Sequence, residues 1–455
     1  MKTWILSLLM SSLALPALAE EAAGVWHGKL MGKLNIVIRI ETDGTAYKGV
    51  LESPDQANFK MPLDSVTATA DSLDFTAVKI NGRYQGKWDE AQKAWVGTWT
   101  QGQGLPLTLK RIDADQANGF APKRPQVEAA EAALANYHVE AVTLPGAVAG
   151  VTLSGTYSAP RGKGPFPTVI LIAGSGPNTR DEAVAGHKVF LVWADALNKA
   201  GIAVLRYDKR GVGASTGDYK AATTADFAAD AGAAVTWLKA RKDVGAIGLV
   251  GHSEGGIIAP IVANREPAVR FIVLMAGGGV RGDQILITQQ TLIGRANGMT
   301  EDNLAQVAAA NRRIYDALIS NPVDTEARVR AVVETELPLS TDPKVVDSVV
   351  KPLVAPWMKY FIAYDPAPEL RKVRVPVLAL IGGKDLQVAA SDNLPAMTAA
   401  LKGNKSATVR ELPGLNHLFQ STAGSGAPSE YSQIEETTAP AALDLVTTWI
   451  RARVQ

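Results

Sequence analysis

Short segments in which apolar and polar residues alternate occupy residues 23 to 111. Gly, Asp, Asn and Pro separate these segments, and alternation with a period of two is typical of strands buried on one face. An aromatic–glycine signature recurs around Trp26, Tyr47, Tyr84 and Trp95, which favours a meander closing into a small barrel or sandwich. We expect these aromatic side chains to lie in the core, with a ligand platform as the alternative. The predicted strands are GVWHGKL, LNIVIRIE, YKGVLES, SLDFTAV, GRYQGKW, AWVGTWT and LPLTLKR.

From Tyr137 onward, apolar strands alternate with helices. YHVEAVTL and GVTLSGTYSAP predict two antiparallel strands. The later, almost wholly apolar runs PTVILIAG, IAVLRYD, AIGLVG and VRFIVLMAG are typical of a parallel sheet covered on both faces by helices. The sequence therefore predicts an all-β domain over residues 20–112, a polar linker over 113–136 and an α/β domain over 137–455.

Residues 281 to about 370 interrupt this alternation with mostly helical sequence such as EDNLAQVAAANRRIYDALI. Strands and helices then resume with VPVLALIGG, NLPAMTAALKG and ATVRELPG, and a final helix, APAALDLVTTWIRARV, closes the chain. A helical insertion at this point of a mostly parallel sheet is expected to form a cap over an active site.

The first residues have the pattern of a cleavable signal peptide, predicted over residues 1–19. Lys2 supplies the positive charge, Trp4 to Leu15 the apolar stretch, and Ala17 to Ala19 a small-x-small cleavage site. The apolar stretch is shorter than the ~20 residues that a membrane span needs. We expect a periplasmic or secreted protein without stable membrane insertion; its oligomeric state is left open.

Composition narrows the classes of function. The 455 residues carry a formal net charge of +1, 47% are apolar, 20% are charged and none is cysteine. Recognition of nucleic acid is therefore not expected as a main activity, because no long basic block is present. The sequence contains no metal-ligand spacing, phosphate loop or dinucleotide motif, so we predict neither a metal nor a cofactor.

The segment Gly251-His252-Ser253-Glu254-Gly255 fits the G-x-S-x-G pattern of a nucleophile elbow. It stands between an apolar run and a predicted helix, which is the strand–turn–helix context that the elbow requires. Flanking glycines allow the sharp turn, and the helix N-terminus favours developing negative charge. We predict Ser253 as a catalytic nucleophile.

A serine nucleophile needs a base, and in α/β hydrolases the chain order is Ser, acid, His. His417 is the only histidine after Ser253, so we predict it as the base. Asp385 directly follows the apolar strand VPVLALIGG and is predicted to orient the imidazole, with Asp365 at the end of the cap as the alternative. His252 is expected to be structural.

An oxyanion hole needs two backbone N–H donors. We predict that Glu254, the residue after the nucleophile, supplies the first. The second is predicted from Ser175 in the loop Ala173–Pro177, with Gly176 as the alternative; Pro177 has no N–H. The Glu254 side chain is expected to be solvated or in a salt bridge.

Two further segments place opposite charges near the same edge of the sheet. YDKRGVG carries Asp208 and Arg210, and NTRDE carries Arg180 and Asp181. We expect these residues to form ion pairs that fix the loops around the pocket, with direct contact with the substrate as the alternative.

The chain as a whole resembles secreted bacterial carboxylesterases of the EstD type, which are also described as serine aminopeptidase-like hydrolases. The motifs that carry the resemblance are AGSGPNTRDE, YDKRGVGAS, GHSEGG, APWMKYFIAYDP, IGGKDLQV and GLNHLFQ, with LESPDQ and GTWTQG in the β domain. The resemblance implies an α/β-hydrolase fold and hydrolysis of short acyl esters. It places Ser253, Asp385 and His417 at the positions of the family's triad.

The predicted protein is therefore a serine carboxylesterase for a small-molecule ester of short to medium chain length. Trp357, Tyr360 and Phe361 of the cap are expected to give its pocket a partly apolar wall. A peptidase or amidase with the same triad is one alternative, for which Glu334 and Glu336 could hold a substrate amine. A carbohydrate- or cell-wall-binding protein that acts through the β domain is another.

Overall fold

The computed structural model describes residues 22–44, 46–55, 59–120, 122–320, 323–336 and 343–454. The predicted signal peptide lies outside the described residues. The chain divides into two compact units, Met1–Lys123 and Arg124–Gln455. The division falls inside the predicted linker.

The first unit is one nine-stranded antiparallel sheet in the order β4-β3-β2-β1-β9-β8-β7-β6-β5. Its strands are β1 Gly24–Leu30, β2 Leu34–Asp43, β3 Ala46–Ser53, β4 Phe59–Pro62, β5 Ser65–Ala68, β6 Ser72–Ala77, β7 Gly82–Asp89, β8 Ala94–Gln101 and β9 Gln103–Ile112. The sequence patterns missed β4 and β5, because four residues are too few to show a period of two.

The sheet curls until its two edges meet. Between the edge strands, Leu63 N–H donates to the Gly49 carbonyl of β3 at 2.8 Å, and Asp64 N–H donates to the Thr76 carbonyl of β6 at 2.9 Å. The chain therefore closes into a barrel-like unit, as the meander pattern predicts.

Alternate residues of these strands face the interior. Trp26, Tyr84 and Trp95 are at most 1% exposed, and the Trp26 and Trp95 rings meet edge to face with centroids 5.9 Å apart. The Tyr84 hydroxyl donates to the Trp95 carbonyl at 2.9 Å. The prediction that the aromatic side chains belong to the core is confirmed for these three residues, whereas Tyr47 is only partly buried and packs against the core.

The second unit is built on an eight-stranded sheet in the order β10-β11-β15-β12-β16-β17-β18-β19. The pairs β10–β11 and β11–β15 are antiparallel, and β15, β12 and β16 to β19 run parallel. These strands are β10 His138–Pro145, β11 Thr152–Ala159, β12 Phe166–Ile172, β15 Ala203–Tyr207, β16 Val244–His252, β17 Val269–Met275, β18 Val377–Gly382 and β19 Ala407–Leu412; a separate hairpin consists of β13 Ala183–Val184 and β14 His187–Lys188.

Helices cover the sheet, and the segment between β17 and β18 is helical. The first unit ends with a short helix, α1 Ala114–Asn118. The helices of the second unit outside the segment between β17 and β18 are α2 Pro125–Ala133, α3 Val189–Lys199, α4 Thr224–Lys239, α5 Glu254–Arg265, α12 Ala390–Ala400 and α13 Pro440–Val454. Those between β17 and β18, here called the cap, are α6 Gly282–Ala296, α7 Glu301–Ser320, α8 Thr325–Glu336, α9 Pro343–Leu353, α10 Pro356–Ala363 and α11 Ala367–Lys372.

The structure differs from the predicted linker over residues 125–133. Its alanines and Val127 form α2, which buries Val127 and Ala130 against Leu191 and Val192 of α3. Most of the apolar residues of this helix are alanines, so its sequence resembles a polar connection even though it packs on α3 within the second unit.

Parallel strands bring several loops to one edge of the sheet. Ile172 at the end of β12 pairs in register with Gly251 of β16, and Gly382 at the end of β18 pairs with Leu412 of β19. The segments that follow β12, β16, β18 and β19 therefore start side by side, at the edge where ligands bind in open α/β sheets.

Candidate active site

Ser253 occupies a sharp turn between β16 and α5. Its backbone has φ 53° and ψ −115°, a strained conformation for a residue with a side chain. A Cβ on Gly251 would collide with the Gly255 carbonyl oxygen, and a Cβ on Gly255 would collide with the Ile172 carbonyl oxygen. The two glycines of the motif are thus required by close packing of the turn, and the half-buried serine projects from it.

Asp385 and His417 meet on the loops after β18 and β19. Asp385 Oδ2 lies 2.8 Å from His417 Nδ1, while Asp385 Oδ1 accepts the backbone N–H groups of Gln387 and Val388, each at 2.8 Å. Both side chains are nearly inaccessible. The carboxylate therefore has a fixed orientation and leaves Nε2 as the ring nitrogen that faces away from the acid.

The alternative acid lies elsewhere. Asp365 is exposed, and its Oδ1 accepts the N–H of Ala367 at 2.9 Å, at the first turn of α11. This carboxylate therefore accepts a hydrogen bond at the start of α11, whereas Asp385 is the acid that bonds to His417.

His252 connects the elbow to the loop of His417. Its Nε2 lies 2.9 Å from the His417 carbonyl oxygen, and its Nδ1 lies 3.0 Å from Glu182 Oε1. Burial lowers the pKa of His252, but the Glu182 carboxylate and the His417 carbonyl outweigh it, and the net pKa is raised. The expected structural role of His252 is confirmed in its contacts, because its imidazole joins Glu182 to the loop of His417.

The loop after β12 approaches the nucleophile closely. A Cβ on Gly174 would lie 3.0 Å from the Ser253 Cβ, so glycine is needed there. The Gly174 N–H donates to Glu182 Oε1 at 2.5 Å. Of the two residues considered for the second oxyanion donor, Ser175 is among the described residues that line the cavity at Ser253, and Gly176 is not. The assignment of the oxyanion hole stays a prediction.

The Glu254 side chain is buried and fully engaged. Oε2 accepts from Lys209 Nζ at 2.8 Å, and Oε1 accepts from the Thr224 hydroxyl at 2.7 Å and from the Trp357 indole N–H at 2.6 Å. The expectation of a solvated Glu254 side chain is wrong, and the expectation of a salt bridge is confirmed.

Lys209 is a residue that the sequence analysis missed. Besides Glu254, its Nζ donates to the Gly174 carbonyl at 2.6 Å, and it lies 4.4 Å from the centroid of the Phe227 ring. The carbonyl it holds belongs to the same peptide group as the Ser175 N–H. Its position directly after the buried strand β15 was the available signal, since a buried lysine needs a partner.

The charges flanking this region form ion pairs, as expected. Arg180 Nη2 lies 2.7 Å from Asp208 Oδ2, and Arg210 Nε lies 2.6 Å from Asp230 Oδ2. Asp181 pairs with Arg206. These pairs tie the loops after β12 and β15 to neighbouring strands and helices.

A small cavity of about 50 Å³ opens at Ser253. On the cap side, Trp357 and Phe361 stack with ring centroids 5.0 Å apart and form part of its wall. Tyr360 stacks on Tyr364 instead. The lining residues are Ser175, Ser253, Glu254, Ile257, Gly278, Ile285, Leu286, Gln289, Trp357, Phe361, Gln387 and Val388.

The described residues show neither a metal site nor a membrane-spanning helix. Over the described residues, no group of His, Cys, Asp or Glu side chains is arranged to bind a metal ion. No helix in that part of the chain has the length and apolar character of a membrane span.

Comparison with known proteins gives one relative with a named activity. Residues 187–420 match the family described as serine aminopeptidase, S33. The chain is 31% identical over 282 residues to the esterase EstD of Thermotoga maritima, and the match covers 61% of each protein. The chain thus spans about three fifths of the length of this relative.

Solved structures of similar shape include two esterases. The esterase Pf2001 of Pyrococcus furiosus is 17% identical, with a TM-score of 0.44, and the match covers 70% of this chain and 94% of that one. Est1E of Butyrivibrio proteoclasticus, with ferulic acid bound, is 19% identical, with a TM-score of 0.40, and the match covers 69% of this chain and 97% of that one.

With an elbow serine, a buried Asp–His pair and the family match over residues 187–420, the chain belongs to the serine aminopeptidase S33 family of α/β hydrolases.

Proposed function

We propose that the protein is a serine carboxylesterase that hydrolyses short- to medium-chain esters through an acyl-enzyme, with Ser253, His417 and Asp385 as the triad. The Asp385–His417 hydrogen bond at 2.8 Å and the strained backbone of Ser253 support the triad. The 31% identity to the esterase EstD supports the ester as substrate.

In this proposal Ser253 Oγ attacks the ester carbonyl carbon while His417 Nε2 takes the hydroxyl proton. The backbone N–H groups of Ser175 and Glu254 hold the oxyanion of the tetrahedral intermediate. The C–O bond then breaks, and His417 returns the proton to the departing alkoxide. Water, deprotonated by His417, attacks the acyl-enzyme, releasing the carboxylic acid and the serine. Asp385 keeps the proton of the neutral imidazole on Nδ1.

The state of Glu254 is the observation that favours an ester over a peptide. Among the described residues that line the cavity, Glu254 alone is charged, and its two oxygens already accept hydrogen bonds from Lys209, Thr224 and Trp357. A substrate with a free amine would find no available carboxylate at this wall. The candidates for amine recognition named above do not supply one: Glu336 pairs with Arg313, and neither it nor Glu334 lines the cavity.

The cavity also limits the acyl group. At about 50 Å³, it has room for only a few atoms beyond the reacting carbonyl, given that one water needs ~10–15 Å³ on this measure. We therefore expect acetyl and butyryl esters to be better substrates than longer ones.

The test measures hydrolysis of p-nitrophenyl acetate, butyrate, octanoate and laurate beside aminoacyl p-nitroanilides. We expect turnover of the short esters, little turnover of the anilides, and a loss of about 10⁴-fold or more in Ser253→Ala. Ser391→Ala, at an exposed serine of α12, is the matched control. Ester hydrolysis that survives Ser253→Ala would refute the triad, and preference for anilides would establish a peptidase.

We also propose that the protein is exported through its signal peptide to the periplasm or beyond. The supporting observation is the sequence pattern of residues 1–19. Amino-terminal sequencing of the protein purified from its native host would give Glu20 as the first residue. A protein that starts at residue 1 or 2 would contradict export by cleavage.

A further inference from the structure

A second cavity lies inside the first unit, at one mouth of its barrel. It has a volume of about 380 Å³, within the ~300–1,000 Å³ of small-molecule sites, which recur in the mouths of β-barrels. It is lined by Leu30, Leu34, Ile36, Leu51, Ser53, Ile80, Trp99 and Gln101. These residues come from the ends of β1, β3 and β8, the start of β2 and the turn before β7.

The wall of this cavity is rigid and largely apolar. Leu51 and Trp99 are 3% and 5% exposed. A Cβ on Gly82 would collide with the Trp99 ring, so the absence of a side chain there lets the indole lie flat against the neighbouring strand. None of the described lining residues carries a charge, and an ionic ligand would gain nothing from entering.

One buried polar group lies beside this space. Ser53 lines the cavity and is 1% exposed, and its buried hydroxyl makes no hydrogen bond with any described group. A buried hydroxyl left unpaired costs about 1–3 kcal/mol. Rotation about the Cα–Cβ bond would turn this hydroxyl towards a ligand with one hydrogen-bonding end and remove that cost, and Gln101 is a second polar residue of the lining.

We propose that the barrel of the first unit binds a neutral apolar small molecule with one hydrogen-bonding end, in the cavity between Leu34, Ser53 and Trp99. An aliphatic alcohol and a phenol share this chemistry, with the apolar body against the leucines and the indole and the hydroxyl at Ser53. A carbohydrate does not fit, because its many hydroxyls would be buried against leucine and isoleucine side chains. The first unit is thus a ligand-binding module separate from the catalytic pocket.

The test uses the full chain with Ser253→Ala as background and the uncharged fluorophore N-phenyl-1-naphthylamine as probe. We expect saturable binding that is weakened at least ten-fold by Leu34→Trp, which fills the mouth from the half-buried rim. Val96→Trp is the matched control, since Val96 lies on the outer face of β8. Ser53→Leu, which shrinks the cavity from its opposite wall, is the second variant should Leu34→Trp fail to fold.

Competition identifies the ligand. Decan-1-ol and 2-naphthol should both displace the probe, and whichever does so at lower concentration shows whether the body is aliphatic or aromatic. Methyl β-glucoside should not displace it. Equal probe affinity in the background, Leu34→Trp and Ser53→Leu proteins would overturn the proposal, and so would displacement by the glucoside but by neither alcohol.

Discussion

The two sides of the cavity at Ser253 are built from different chemistry. On the sheet edge, buried charges are paired at hydrogen-bonding distance, as in Lys209–Glu254 and His252–Glu182. On the cap side, Ile285, Leu286 and Phe361 supply apolar surface. For the proposed esterase, this difference predicts that the sheet edge fixes the positions of the reacting groups and that the cap selects the substrate.

The cost of a change should differ in the same way. Removing one partner of a buried ion pair typically costs 3–5 kcal/mol, because the other charge is left uncompensated. Trimming an apolar side chain at a cavity wall mainly alters volume. Substitutions on the sheet edge should therefore abolish catalysis, and substitutions on the cap should redirect it.

The largest effect is expected from Asp385→Asn. The asparagine oxygen can still accept the N–H groups of Gln387 and Val388, but its amide now donates towards His417 and stabilises the wrong tautomer. We expect kcat to fall about 10³–10⁴-fold with little change in melting temperature. Asp365→Asn, at the alternative acid, is the control and should retain most activity. The reverse result would move the triad acid to the cap.

Lys209→Met should have the next largest effect. It removes one of two side-chain donors to the Gly174 carbonyl, leaving the Asn178 amide as the other, and it leaves the Glu254 carboxylate without its cation. Both predicted oxyanion donors are therefore held less firmly. We expect kcat for p-nitrophenyl acetate to fall about 10²–10³-fold, with a smaller change in KM.

Two further variants separate this positioning role from a general loss of stability. Lys199→Met removes an exposed lysine paired with Asp195 and should leave kcat unchanged. Lys209→Met with Glu254→Gln removes the orphaned charge, and it should recover the melting temperature without recovering kcat. Recovery of both would show that Lys209 acts on stability alone.

A change of about ten-fold in specificity is expected from Leu286→Ala on the cap wall. The wider cavity should raise kcat/KM for the octanoate relative to the acetate, since one or two methylenes in an apolar pocket are worth about 1–3 kcal/mol. Leu318→Ala, in the cap's own core and 2% exposed, destabilises the cap without lining the cavity. If Leu318→Ala shifts the preference for acyl chain length as much as Leu286→Ala does, the cap acts through its stability. The proposed difference between the two sides of the cavity would then be wrong.

The smallest effect concerns the stability contributed by two buried histidines. Burial lowers the pKa of His187 to about 4, so its contribution is complete above pH 6.5 and is lost as the pH falls towards 4. The pKa of His252 is raised, so its contribution is complete below pH 6.5 and is lost as the pH rises through the folded pKa.

Melting temperatures measured against pH separate these two contributions. His187→Gln should flatten the decline on the acid side, and His252→Gln should flatten the decline above pH 6.5, by a few degrees each. A variant that leaves the dependence of melting temperature on pH unchanged would contradict the direction of the pKa shift assigned to that histidine.

The sequence predicted the elements that have a strong local signal. The predictions of the apolar strands of the second unit, and of the antiparallel hairpin that precedes them, agree with the structure. The length of an apolar run and the period of alternation can both be seen in the sequence. The strands β4 and β5 and the helix α2 were missed or assigned to a linker, since short strands and Ala-rich segments have weak patterns. Asp385 and His417 were paired from chain order and strand ends alone.

By itself, then, the sequence determined the fold class, the elbow and the order of its candidate triad, because each depends on local pattern and on where parallel strands end. The tertiary structure determined which side chains contact each other around the candidate site. Lys209 and Glu254 are 45 residues apart and Trp357 is 103 residues from Glu254, and no local pattern specifies such contacts. The Ser53 hydroxyl, which has no partner among the described residues, likewise becomes buried only when the sheet curls, since burial and hydrogen bonding are properties of the packed chain.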